Sequence, residues 1–178
     1  MYLALDLATE TGFCVGAADT GEVPTLGHVR MPSTGPDVGQ FLAAWQDWLD
    51  AKVCEVEPTL IIFEAPILPS ETQMSTTRKL QGLAGVTEMV CHRAGIEVAE
   101  LTTSTVKKGL TGNGRASKSD MVRACRAYGF NPHTYIKKGE ESSDEADAFG
   151  IWLCALRLRH PTHAGRWDPM NFTPRTAA

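Results

Sequence analysis

The stretch that decides the fold is residues 1–16, "MYLALDLATETGFCVG". Tyr2 to Leu5 are apolar without interruption, as strands covered on both faces are, rather than alternating. The run stops at Asp6, a carboxylate ending what the pattern makes an inner strand, and a turn rich in threonine and glycine follows. Working outward, "GFCVGAAD" (12–19) and "TLGHVRM" (25–31) read as two more strands, turning around Asp19, Thr20 and Gly21. From Asp37 to Val56 the residues Val38, Phe41, Leu42, Trp45, Leu49 and Val53 recur at helical spacing, and Pro58 closes that helix. "TLIIFEAP" (59–66) is then a second buried strand, and it too ends in a carboxylate, Glu64.

The rest alternates helix and strand. A long helix is predicted over residues 72–94, with Gly95 as its C-cap, followed by the strand "IEVAEL" (96–101). The polar segment "TTSTVKKGLTGNGRASKSD" (102–120) predicts a short helix and a mobile loop, and Ser117 caps the next helix. "HTYIKKGEESSDEADAFGIWLCALRLRH" (133–160) reads as a charged loop feeding a helix that runs to about Leu158. The whole is a mixed α/β sheet. One domain is expected over 1–160, with a flexible C-terminal tail over 161–178 that is rich in Pro, Thr and Gly.

Composition narrows the function classes. The chain of 178 residues is 43% hydrophobic and 21% charged, as an ordinary globular domain is. It has no apolar run long enough for a membrane span and no signal-peptide pattern, so a cytoplasmic location is expected. Its five cysteines stand singly, with no CxxC pair, which argues against a zinc or disulfide framework and for cysteines used as small hydrophobes. The net charge is −4, yet between Arg78 and Arg126 nine Lys/Arg face four Asp/Glu. A basic middle in an acidic chain suits either a polyanion surface or a solvated helix face.

The chemistry is carried by four acids. Asp6 and Glu64 end apolar strands, where open α/β sheets collect their ligands. Asp144 and Asp147 are three apart at the start of the last helix, on one face that continues through Ile151, Cys154 and Leu158. Each acid alone has a bland reading, as a turn residue, a cap or a favoured partner of the helix macrodipole. Together, buried carboxylates repel and protonate unless a cation neutralises them, and all-oxygen ligands suit Mg²⁺ or Mn²⁺.

The order of these acids, with "LALDLATETGFCVG", "LIIFEAP", "TRKLQGLAGVTEMVCHRAG", "STVKKGLTGNGRASKSDMV" and "SSDEADAFGIW", resembles the RuvC Holliday junction resolvases of the RNase H-like superfamily. The likeness spans roughly residues 2–158, and the chain looks like the shorter-motif versions found in phage or prophage genomes. It implies an RNase H-like fold: a mixed five-stranded sheet with helices on both faces. It implies metal-binding catalytic acids at Asp6, Glu64, Asp144 and Asp147, and catalytic basic residues at Lys107 and Lys118. Two Mg²⁺ or Mn²⁺ ions per site, branched DNA such as a four-way junction, and a homodimer are the expected cofactors and partners. Arg78, Lys79, Lys108 and Arg115 are the expected DNA contacts. The chain departs from the family at Ile67, where an aromatic residue often follows the catalytic Glu, which puts junction-sequence preference in question.

Two other readings compete: a junction-binding module without catalysis, and an RNase H-like nuclease for another nucleic acid. The phosphate loop of actin-like ATPases is only weakly matched by "DLATETG", and those enzymes need two such domains. Gly82, Ala84 and Gly85 suit either close helix approach between subunits or packing on the chain's own sheet. Cys91-His92 reads as a core cysteine beside a surface histidine, and His160 and His163 lack metal partners. Trp45, Trp48 and Trp152 read as core, whereas Trp167 is a possible partner contact.

Overall fold

The structure is a computed structural model, and it describes residues 1–66 and 74–167. Strand β1 (Tyr2–Asp6) sits at the middle of a five-stranded sheet. On one side of it lie β2 (Glu10–Gly16) and β3 (Thr25–Arg30), both antiparallel to their neighbours. On the other side lie β4 (Leu60–Glu64) and β5 (Glu97–Leu101), parallel to β1. The sheet order β3-β2-β1-β4-β5 makes β1 the strand covered on every side, which is why Leu3, Ala4 and Leu5 are fully buried. This is the mixed sheet expected of an RNase H-like fold.

Helices cover both faces. Helix α1 (Val38–Val56) starts on an Asp37 cap whose carboxylate accepts from the Gln40 amide at 2.9 Å. With α2 (Met74–Ala94) it covers one face, through a core that includes Leu3, Leu5, Phe41, Trp45, Leu83 and Val90. Buried Trp45 donates its indole N–H to Thr87 Oγ1 at 3.1 Å, so its polar atom is satisfied inside that core. Gly82 lets α2 approach Leu42 of α1, because a Cβ there would come within 2.6 Å of the leucine. Packing within the chain therefore explains Gly82, while Gly85 faces open space.

The other face carries α3 (Thr103–Thr111), α4 (Lys118–Ala127) and α5 (Asp144–Arg159). Helix α5 is buried at every residue from Glu145 to Leu156, as its apolar sequence requires of a helix pressed on a sheet. Ser117 caps α4 in a complete capping box with Asp120, a motif that stabilises a helix start by about 1 kcal/mol.

Three expectations change. The loop between α3 and α4 is pinned rather than free: Asn113 Oδ1 accepts from the Arg115 amide at 3.0 Å, and Ala116 is buried. The charged segment after His133 is not a plain loop but a hairpin, β6 (Tyr135–Lys137) and β7 (Glu140–Ser142). Its two-residue turn places Lys138 and Gly139 at φ of 54° and 79°, the backbone twist that two-residue hairpins favour. The expected tail begins as helix α6 (Pro161–Ala164) and a 3₁₀ turn (Gly165–Trp167). Trp167 is buried against Trp152, centroids 5.2 Å apart and edge-on, so it belongs to the core. Residues 168–178 lie outside the described residues.

Candidate active site

Parallel pairing of β1 with β4 aligns Leu5 with Phe63, so the next residues along, Asp6 and Glu64, emerge together at the carboxyl ends of adjacent strands. Asp6 also pairs with Gly12 of β2. A Cβ at Gly12 would overlap the backbone carbonyl of Asp144, so glycine is what allows α5 to begin directly over the strand end. Ser143 caps that start, its hydroxyl accepting from the Ala146 amide at 3.2 Å. The outcome is a trio: ligand oxygens of Asp6, Asp144 and Asp147 lie within 4.8 Å of one another.

Glu64 stands beside the trio rather than inside it. The Thr103 hydroxyl donates to its Oε1 at 2.6 Å, and Glu64 is close enough to raise the Asp6 and Asp147 carboxyls electrostatically. Asp144 accepts at 2.8 Å from the Tyr135 hydroxyl, and Asp147 accepts from the Lys118 ammonium. Thr103 and Tyr135 carry no motif of their own, and the sequence reading missed both. The only hint was their position, Thr103 just past a strand and Tyr135 just before the aspartate pair.

Electrostatics follow from this crowding. Burial is the main force raising the Asp6 carboxyl well above its ordinary value, and repulsion from Asp147, Asp144 and Glu64 adds to it. Burial likewise pushes Asp147 up to about 6, against the pull of Lys118. Asp144 is raised by burial too, with Tyr135 and Lys118 working in the opposite sense. For Lys118, burial disfavours the charge, but Asp147 and Asp6 more than reverse it and hold the ammonium well above the ordinary lysine range. Burial and the bond to Asp144 keep the Tyr135 phenol protonated.

The expected basic residues divide. Lys118 joins the cluster; Lys107 is half-buried on α3 and makes no ion pair among the described residues. Lys79 is engaged by its own chain, donating to the Gly35 carbonyl at 2.8 Å with its ammonium 4.9 Å from the Phe41 ring. Arg123 and Arg126 of the basic window pair with Asp120 and Glu141. Arg78, Lys108 and Arg115 are exposed and make no ion pair among the described residues. Four cysteines are buried as expected, Cys91 among them, but Cys54 is exposed. Ile67 lies outside the described residues.

Comparison with known proteins decides the family. A sequence model of the family "Crossover junction endodeoxyribonuclease RuvC" matches residues 7–154, a span holding Glu64, Asp144 and Asp147 and starting one residue after Asp6. The chain belongs to the RuvC family. Among its RuvC relatives, that of Corynebacterium jeikeium is 28% identical over 153 residues, covering 82% of this chain and 86% of the relative. RuvC of Frankia casuarinae is 30% identical over 132 residues, covering 74% and 72%. Thermus thermophilus RuvC, solved in complex with a Holliday junction substrate, superposes with a TM-score of 0.67 at 20% identity, covering 90% of this chain and 96% of that one. The yeast mitochondrial Holliday junction resolvase superposes at 0.62 and 12% identity, covering 94% and 84%. These likenesses agree with the RNase H-like sheet. As a RuvC, the chain is an endodeoxyribonuclease, a hydrolase of phosphodiester bonds.

Proposed function

We propose that this RuvC nicks Holliday junctions or closely related branched DNA in the cytoplasm, by two-metal phosphodiester hydrolysis. The observation that carries the reading is the convergence of Asp6, Asp144 and Asp147 within 4.8 Å, with Lys118 as the adjoining cation. The donor set fits the metal. Carboxylates crowded this closely, one buried and two half-buried, call for a hard divalent cation, and every ligand atom is an oxygen. When bound, two Mg²⁺ or Mn²⁺ ions supply the acidity that activates water and the charge that stabilises the departing 3′ oxygen.

The chain's own residues have distinct tasks. Asp6 feels the charges of Glu64, Asp144 and Asp147 alike, and would be a ligand to the metal. Glu64, held by Thr103, and Asp144 and Asp147, with Tyr135 bonded to Asp144, would complete the ligand set. Lys118 is held beside the cluster with its proton on, so its charge counters that of the scissile phosphate. Lys107 has no such contact and fits a phosphate contact that contributes affinity alone. A four-way junction is close to two-fold symmetric, and paired incisions need two such centres, which a C₂ homodimer provides.

The experiment is incubation with labelled four-way junction, fork, linear duplex and RNA–DNA hybrid, each with Mg²⁺ or Mn²⁺. Paired, symmetric nicks in the junction support the reading. Selective cutting of the RNA strand would make the chain an RNase H-like enzyme. Tight junction binding with no cutting under either metal would make it a binding module.

A further inference from the structure

A second cluster of metal-ligating groups lies on the same side of the molecule. Glu10 on β2, His28 on β3 and His133 on the segment before β6 place one ligand atom each within 4.8 Å of one another. We propose that these three residues form a site for a divalent transition ion of the Zn²⁺ class, separate from the acidic trio.

The side chains are already arranged for it. Glu145, 9% exposed at the start of α5, accepts from His28 Nδ1 at 2.7 Å with one oxygen. With the other it accepts from the His133 backbone amide at 2.9 Å. One buried carboxylate thus holds both histidine-bearing segments. A carboxylate on one imidazole nitrogen is also the arrangement that orients a metal-binding histidine and makes its other nitrogen the better donor. In His28 that other nitrogen, Nε2, faces Glu10 Oε1 at 3.9 Å. The His133 ring stacks on His28 with centroids 4.6 Å apart and makes no hydrogen bond among the described residues, so it can turn a nitrogen to the same point.

The chemistry of the set selects the ion. Two imidazoles and one carboxylate suit Zn²⁺, Ni²⁺ or Cu²⁺, whereas the all-oxygen trio suits Mg²⁺ or Mn²⁺. A tetrahedral Zn²⁺ with ligands at about 2.0–2.1 Å spaces its donors at roughly 3.4 Å, a short closure for three side chains with surface access. Three protein ligands leave a position for water or another donor. Such an ion would tie the β2–β3 edge to the residues that lead into α5, which bears Asp144 and Asp147.

The test is calorimetric titration of the full, metal-stripped chain with Zn²⁺ in excess Mg²⁺, alongside histidine ring ¹⁵N spectra. One equivalent is expected to bind, shifting the His28 and His133 rings. His133→Gln and Glu10→Gln are each expected to weaken binding at least 10-fold, and Asp147→Asn to leave it within about 2-fold. His28→Gln also loses the bond to Glu145 and can affect folding, so His133→Gln, checked by melting, carries the decision. Unchanged Zn²⁺ affinity in that variant, or no saturable binding by the wild type, overturns the proposal.

Discussion

Asp6 is where the residue scale matters most, because its charge opposes the fold that positions it. Its carboxyl is raised in the folded chain by burial and by Asp147, so between the ordinary and the folded values the folded state binds a proton that the unfolded state has released. A raised carboxyl costs stability above the ordinary value of 3.8, and the cost grows as pH rises through the folded value. Asp6→Asn is therefore expected to stabilise the metal-free protein at pH 7 and to change its stability little below pH 4. Melting curves across that range check this, and an unchanged or lower midpoint at pH 7 would contradict it. The same variant should lose Mg²⁺-dependent cleavage while still binding junctions. Tyr135 makes a subtler case, since it touches Asp144 and not the reacting atoms. Tyr135→Phe removes the donor to Asp144 Oδ1, together with the hydroxyl's contact with Ser142. A fall of about 10-fold in single-turnover rate is expected, with a raised Mg²⁺ requirement and unchanged junction affinity, by analogy with other groups that orient metal ligands. A purely structural tyrosine would leave the Mg²⁺ requirement alone.

Elements show which parts of the site are written locally and which are not. Asp6 and Glu64 were legible because each ends an apolar run, and the spacing of Asp144 and Asp147 needs only a helix. Gly12 was not legible: its role appears only when β2 lies under the first turn of α5, an approach no local pattern encodes. The same holds for Thr103, whose hydroxyl meets Glu64 only because β4 and β5 are adjacent and parallel. The hairpin β6–β7 was hidden by its charge, although its Lys138-Gly139 turn was in view. Trp167 was read as part of a tail because proline, glycine and threonine surround it, yet one aromatic face against Trp152 outweighs that composition. Gly12→Ala tests the packing claim directly. The added methyl would collide with the Asp144 backbone, and a loss of 1–3 kcal/mol or more is expected in denaturant melts, with metal binding weakened as α5 shifts. If the variant melts like wild type, the close approach of α5 to β2 is not needed.

At the scale of the whole molecule, the question is how an acidic chain holds DNA. The basic window supplies fewer unpaired charges than its sequence suggests, since Lys118, Arg123 and Arg126 pair with acids. Arg115 lies on the pinned loop two residues before the α4 cap Ser117, and Lys108 sits in the last turn of α3. Contacts with phosphate from such residues would position the DNA without reading its sequence. Lys108→Ala and Arg115→Ala are each expected to weaken junction binding at 0.1 M salt several-fold and to reduce the slope of log affinity against log salt by about 0.9. Lys79→Ala should reduce that slope less, because its ammonium, though still charged, is held against Gly35 and Phe41. Cleavage rates measured at saturating protein should stay near wild type in all three variants. Titrations at several salt concentrations check the set. Equal slopes for wild type, Lys108→Ala and Arg115→Ala would move the DNA path away from the α3–α4 edge.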